Sequence, residues 1–382
     1  MNLIIFNNSI TLESGMSGSD VRAIEWSKIF LFKGHQLTVV IPLEAVARFE
    51  ALKGSIKIFV TTHLPVQKLG LFIGYVLRTI KTCFMVNKLS VDGIIYSSSD
   101  LMPDAIPALF LKLKNRRLRW ISGMHLIAPD PFRGFKNAKA NSFSFPSIRG
   151  IYYFFYQRMM VFFMKYKADL VFVSNRQDKE FLLKKGFNEG QVLVTWGGIN
   201  RQPIMNLSKQ EIKFDACFIG RDHPQKGVDD LLEIWQAVCK EKPDARLCLL
   251  GALDRIKNTP ACSLLKNNLT FFGIVDGIKK FEIIQSAKLF ICPSYYESFG
   301  IVIAEAMSVG LPVVAYDLDI YYDIYPQGMI KVPLGDKHGF ANKVIELLKD
   351  EDKRSELSKQ ALAVSQRFSW EETAGDILKK LG

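Results

Sequence analysis

The feature that most limits what this chain can fold into is an alternation. Short, almost wholly apolar runs recur, and each is followed by a longer stretch with apolar positions at helical spacing. Residues 3–6 are such a run. In residues 20–33 the apolar side chains Val21, Ile24, Trp26, Ile29, Phe30 and Phe32 follow near-helical spacing, Gly34 and His35 stop that helix, and residues 37–41 form the next run. A strand that is apolar throughout must be covered on both faces, and a strand–helix–strand series does this with a parallel sheet between two layers of helices. Further strands are predicted over 93–96, 118–122 and 170–174, with helices over 103–114, 150–167 and 176–185. The polar stretch 204–213 reads as a linker, after which the pattern restarts. The second set has strands over 216–219, 246–250, 270–272, 289–292 and 313–315, and helices over 226–240, 276–287, 299–309 and 339–349. A last helical stretch covers 369–381. The fold class is therefore α/β with two doubly wound halves. In open parallel sheets ligands bind beyond the carboxyl ends of the strands.

The length, 382 residues, suits two domains, and 48% apolar with 23% charged residues excludes wholesale disorder. Charge is unevenly spread. Residues 1–200 hold 26 basic and 13 acidic side chains, and residues 201–382 hold 24 and 25, so the whole excess of +12 lies in the first half. That half is expected to meet an anionic partner. The six cysteines (Cys83, Cys217, Cys239, Cys248, Cys262, Cys292) form no Cys-x-x-Cys pair and read as reduced thiols. The opening residues lack a basic segment before their short apolar run, and no charge-free run reaches membrane-spanning length. A cytoplasmic protein is expected, peripheral at the cytoplasmic face of a membrane.

Three segments carry chemistry. In Cys292-Pro-Ser-Tyr-Tyr-Glu-Ser-Phe-Gly-Ile301 a strand runs into a loop bearing Glu297, and a helix is expected to start near Phe299. The N–H groups of Ser298, Phe299, Gly300 and Ile301 then form an anion site at a helix N-terminus. Glu305 lies on that helix, and each carboxylate suits a vicinal diol. In Phe218-Ile-Gly-Arg-Asp-His-Pro-Gln-Lys226 the cations Arg221 and Lys226 follow a strand and suit a diphosphate. In Leu12-Glu-Ser-Gly-Met-Ser-Gly-Ser-Asp20, Gly15 and Gly18 precede a helix without the dinucleotide Gly-x-Gly-x-x-Gly spacing, so an NAD site is disfavoured.

Together these segments resemble family 4 of the retaining glycosyltransferases, which have the GT-B fold of two Rossmann-like domains facing across a cleft. The resemblance implies an acceptor-binding domain over 1–203, with the helix at 369–382 packed back on it, and a nucleotide-sugar domain over 204–368. Ser17-Gly-Ser-Asp20 matches the family's first loop, with Gly18 on donor phosphate. Gly220-Arg221 and Lys226-Gly227 match the donor-phosphate pair. Glu297 and Glu305 match its Glu-x(7)-Glu motif, which implies Glu297 by the donor sugar and Glu305 by the ribose. The segment Thr270-Phe-Phe-Gly-Ile274 resembles the strand that contacts the base, implicating Phe272, Gly273 and Ile274. His125 falls where the family often places a histidine by the donor sugar, and Asp20 and Asp100 are acceptor contacts. The donor is a UDP- or GDP-sugar, and the family-implied route is same-face substitution with the donor phosphate as base. One departure is Tyr316-Asp-Leu-Asp-Ile320, which lacks the family's glycines. Its Asp317-x-Asp319 looks like the metal motif of a different glycosyltransferase fold, but Arg221 and Lys226 supply the leaving-group charge, and no metal or cofactor is expected.

The basic half contains two helical stretches rich in aromatics. Within 68–88, Leu69, Phe72, Ile73, Val76, Leu77, Ile80 and Phe84 share one face, with Lys68, Arg78, Lys81 and Lys88 elsewhere. Within 148–167, tyrosines and phenylalanines are flanked by Arg149, Arg158, Lys165 and Lys167. Both fit docking on anionic lipid, consistent with a lipid-linked or membrane-proximal glycan acceptor. No nucleic-acid-binding motif is present. A non-catalytic nucleotide-sugar-binding scaffold and a sugar-nucleotide epimerase are the other readings.

Overall fold

The computed structural model describes residues 1–10, 16–63, 70–87, 92–135 and 146–381. Gly15, Lys68, Leu69 and Lys88 lie outside the described residues. The chain divides into two compact units. One is Met1–Phe132 with Ser144–Gly197 and Trp370–Gly382, and the other is Arg133–Phe143 with Gly198–Ser369. The partition falls between Gly197 and Gly198, ahead of the expected boundary at 203/204, so the polar stretch 204–213 belongs to the second unit.

The first unit holds seven strands: β1 (Asn2–Phe6), β2 (Gln36–Ile41), β3 (Lys57–Val60), β4 (Ile94–Ser97), β5 (Arg119–Gly123), β6 (Leu170–Val173) and β7 (Val192–Val194). They pair in parallel in the order β3-β2-β1-β4-β5-β6-β7. Leu3 lies opposite Leu37 on one side and Ile94 on the other. β1 and β6 are buried almost throughout because helices cover both faces. The order reverses between β1 and β4, and the crevice at such a reversal is where doubly wound sheets hold ligands.

The helix Gly18–Phe32 begins with a reciprocal cap in which Ser17 and Asp20 each satisfy the other's backbone N–H. The helix Trp370–Leu381, last in the chain, packs on it, with Trp370, Ala374 and Ile377 buried. The helix Leu71–Val86 is inverted relative to its sequence pattern. It buries Gly74, Arg78, Thr79, Thr82 and Val86, while Phe72, Ile73, Leu77, Ile80 and Phe84 are between 49% and 74% exposed. Arg78 is therefore not a rim cation. Its guanidinium donates to the carbonyls of Asn8 and Ile10 and pairs with Glu44 at 2.6 Å.

The second unit repeats the plan with six strands: β8 (Phe214–Ile219), β9 (Leu247–Leu250), β10 (Leu269–Gly273), β11 (Ala287–Cys292), β12 (Val313–Tyr316) and β13 (Met329–Val332). They pair in parallel in the order β10-β9-β8-β11-β12-β13, so the reversal lies between β8 and β11. Trp235 of helix Val228–Glu241 and Phe340 of helix Lys337–Lys349 fill the core against these strands. The α/β class with two parallel sheets is thus the one read from the sequence. All six cysteines are free. Among the described residues no helix is long and apolar enough to cross a membrane.

Candidate functional site

In the second unit the loops after β8 and β11 leave the sheet at its reversal and are fastened to each other. The Tyr295 N–H donates to the Gln225 carbonyl at 2.8 Å, and the Gln225 side-chain amide donates to the Tyr296 carbonyl at 2.9 Å. Gly227 has φ of 61°, and a Cβ there would stand 2.0 Å from the Pro293 carbonyl oxygen, so only glycine permits this approach. Tyr295 and Tyr316 both donate their hydroxyls to one oxygen of the buried Asp230, at 2.6 and 2.8 Å. The sequence reading missed Gln225 and Asp230. Their signal was only that they flank a strand-to-helix loop.

This scaffold sets two carboxylates in the same manner. Lys226 Nζ lies 2.6 Å from Glu297 Oε1, and Lys280 Nζ, from helix Gly277–Gln285, lies 2.6 Å from Glu305 Oε1. Glu297 is 6% exposed. Each lysine orients one carboxylate oxygen, and the second oxygen of each glutamate has no partner among the described residues. Such an oxygen can accept from a hydroxyl. Lys226 retains two N–H donors beyond Glu297. Arg221 makes no ion pair or hydrogen bond among the described residues. Burial, then the charges of Arg221 and Lys226, hold His223 down at about 4.

The helix after β11 spans Ile301–Ser308, not 299–309. Gly300 caps it in the left-handed conformation, with φ of 81°, and this ends the helix before Phe299. Ser298 and Phe299 precede the helix, and Phe299 is buried edge-on against Phe368. The N–H groups that meet no acceptor among the described residues are those of Gly300, Ile301 and Val302. Glu305 accordingly sits about one turn into the helix. At the end of edge strand β10, Phe272 is 37% and Ile274 46% exposed, while the Gly273 carbonyl accepts from the Gly251 N–H at 2.7 Å.

The first unit has its own polar cluster at the β1/β4 reversal. Asp104 accepts from the N–H and hydroxyl of Ser9 and the hydroxyls of Ser98 and Ser99. Asp100 accepts from Gln157 at 2.8 Å and Tyr153 at 3.2 Å. Burial pushes both carboxyls up to about 6. Asp20, expected as an acceptor contact, is committed to the fold, accepting from Asn7 and from the Ser17 N–H and hydroxyl. The exposed Gly18 opens its helix, and its carbonyl accepts from Arg22 at 3.4 Å. His125 lies beyond β5 with Nδ1 3.0 Å from Ser174 Oγ. Among the described residues no group of three or more His, Cys, Asp or Glu side chains could hold a metal ion. Asp317 instead accepts from the Tyr322 hydroxyl at 3.0 Å.

Residues 204–364 match the family described as Glycosyl transferases group 1. A phosphatidyl-myo-inositol mannosyltransferase of Mycobacterium leprae (strain TN) is 32% identical over 168 residues, 43% of this chain and 45% of that protein. A poly(glycerol-phosphate) alpha-glucosyltransferase of Bacillus subtilis (strain 168) is 29% identical over 221 residues, 55% of this chain and 32% of that protein. The chain thus spans less than half the length of either relative. The solved structure of Anabaena Alr3699/HepE in complex with UDP and glucose superposes with a TM-score of 0.73 at 18% identity, covering 100% of this chain and 99% of that one.

Proposed function

We propose, from the match of residues 204–364 to the glycosyl transferases group 1 family, that the chain transfers a hexosyl unit from a nucleotide-diphosphate sugar to an acceptor, with retention of configuration. The observation that carries this reading is the pair of lysine-oriented glutamates at the sheet reversal of the second unit. The open oxygen of Glu297 suits a sugar hydroxyl and that of Glu305 a ribose hydroxyl, with Phe272, Gly273 and Ile274 beside the base. Arg221, the spare donors of Lys226 and the N–H groups of Ile301 and Val302 suit the diphosphate. Charge builds on that diphosphate as the glycosidic bond breaks, and donors already in place stabilise it without reorganising. Beside Glu297 and Glu305 the described residues offer no assembled nucleophile–base pair, which favours same-face substitution assisted by the donor phosphate. A UDP- or GDP-sugar fits, and the likeness to a structure holding UDP and glucose supports the first.

The acceptor reading rests on the inverted helix. A helix that buries arginine and threonines and turns phenylalanine, leucine and isoleucine outward is oriented for an apolar medium. Phe155, Met159 and Phe162 of helix Ile148–Lys167 are also exposed, and Tyr152 of that helix meets Phe72 edge-on at 4.8 Å. Exposed Lys81, Lys114, Arg116 and Arg117 belong to the same unit. We assign this face to an anionic bilayer, and with it a lipid-linked or membrane-proximal glycan acceptor.

Turnover of a nucleotide-sugar panel with membrane extract as acceptor tests the activity. Transfer that falls to background when Arg221 and Lys226 are both replaced by alanine supports it. Donor binding without any product identifies a scaffold, and an epimerised sugar released without acceptor identifies an epimerase; either result overturns it.

A further inference from the structure

Ser174, directly after β6, has its hydroxyl fully buried between two side chains of the first unit. Arg22, 1% exposed, donates its Nη2–H to Ser174 Oγ at 3.0 Å. On the other side Ser174 Oγ lies 3.0 Å from His125 Nδ1. A guanidinium has only donors, so toward Arg22 the serine oxygen accepts. The hydroxyl keeps one hydrogen, and among the described residues the only acceptor in reach is His125 Nδ1. Nδ1 must then carry a lone pair, and the ring's single hydrogen sits on Nε2. The opposite assignment fails, because a hydrogen on Nδ1 would leave the buried Ser174 hydroxyl without an acceptor, whereas Nε2 is without a partner in either tautomer. Burial and the charge of Arg22 also lower the His125 pKa well below its ordinary value, so the ring is neutral. Gly123 makes room for this placement, since a Cβ there would stand 2.8 Å from His125 Nε2. Nε2 itself is buried and has no partner among the described residues.

We propose that Arg22 and Ser174 are positioning residues that hold His125 as the neutral Nε2–H tautomer, so that in sugar transfer His125 has no lone pair on Nε2 with which to act as a base. The part played in transfer rests on the function proposed above, and the tautomer does not. A lone pair on Nε2 would be needed to take up a proton from a hydroxyl, and the Arg22–Ser174 relay removes it.

Side-chain nitrogen NMR of the full-length protein at pH 7 reads the tautomer directly, with the His125 signals assigned by their loss in His125→Gln. The expected result is a pyridine-like Nδ1 and a pyrrole-like Nε2. Ser174→Ala mixes the two tautomers and lowers kcat about tenfold, the loss of one well-placed hydrogen bond. Ser174→Thr, which keeps the hydroxyl, restores both. A pyrrole-like Nδ1 in the unmodified protein overturns the proposal, and so does a tautomer unmoved in Ser174→Ala. If the tautomer is as stated but no nucleotide sugar is turned over, the assigned role in transfer fails while the relay stands.

Discussion

Gly227→Ala separates the two demands made on the loop after β8. The first is backbone conformation, since at φ of 61° an L-residue pays about 1–2 kcal/mol. The second is space. The new Cβ would stand 2.0 Å from the Pro293 carbonyl oxygen, and contacts under 3.0 Å are not sustained, so the loops after β8 and β11 must part by at least 1.0 Å. Forced overpacking of this kind costs about 1–3 kcal/mol. The expected loss is therefore about 2–5 kcal/mol. Gly273→Ala is the control. Its φ is 69° but nothing lies within 4 Å of the added carbon, so it pays only the conformational part, about 1–2 kcal/mol. Urea unfolding of both variants measures the difference. The displaced loop also carries Glu297, and a misplacement of about 1 Å at a reacting centre costs on the order of 100-fold in rate. Gly227→Ala should thus lose nucleotide-sugar turnover as well as stability, through Glu297 and its ion pair with Lys226. Equal urea midpoints for the two variants, with turnover intact in Gly227→Ala, would refute the reasoning.

Three further outcomes are expected. Lys226→Met leaves Glu297 buried and uncompensated and should destabilise the second unit by about 3–5 kcal/mol, whereas Lys226→Met with Glu297→Gln recovers most of that loss; urea unfolding of single and double variants decides. Asp100, with its pKa raised by burial to about 6, favours folding when protonated. Its contribution is full well below 3.8 and is lost as pH rises through 6, so the wild type should lose about 2 kcal/mol relative to Asp100→Asn between pH 4 and 7; parallel pH dependences would contradict this. Leu77→Glu with Phe84→Glu should reduce sedimentation with anionic vesicles at low salt by more than tenfold, each removing about 1 kcal/mol of apolar insertion. Unchanged sedimentation, or a change of oligomeric state in its place, would assign that face to something other than lipid.

The sequence was most legible where strands lie inside a sheet. β1, β2, β4, β5 and β6 in one unit and β8, β9, β11 and β12 in the other are apolar runs because neighbours and helices bury both their faces. The three strands it did not reveal, β3, β7 and β13, are all at sheet edges. Each is three or four residues long, too short to show a period, and half-pairing relaxes the need for continuous apolarity. The helix Glu351–Ser365 was missed for a related reason, since its buried residues are few and include Ser365. At the site, Glu297, Glu305, Arg221 and Lys226 could be read because they sit close to strand ends. Lys280 could not, because its pairing with Glu305 joins positions 25 residues apart through a helix packed beside the strand. The inverted helix shows a sharper limit. Periodicity reveals that a helix has two faces, but which face turns inward depended on Asn8 and Glu44, the partners that make a buried Arg78 tolerable.

The helix Trp370–Leu381 has a consequence for how the molecule is made. It belongs to the first unit, yet the ribosome delivers it only after the entire second unit has been synthesised. Until then the helix Gly18–Phe32 lacks a packing partner that brings Trp370, Ala374 and Ile377 against it. The half begun first is thus the half completed last, and its nascent form must wait with apolar surface uncovered, a condition that favours chaperone capture or aggregation when synthesis stalls.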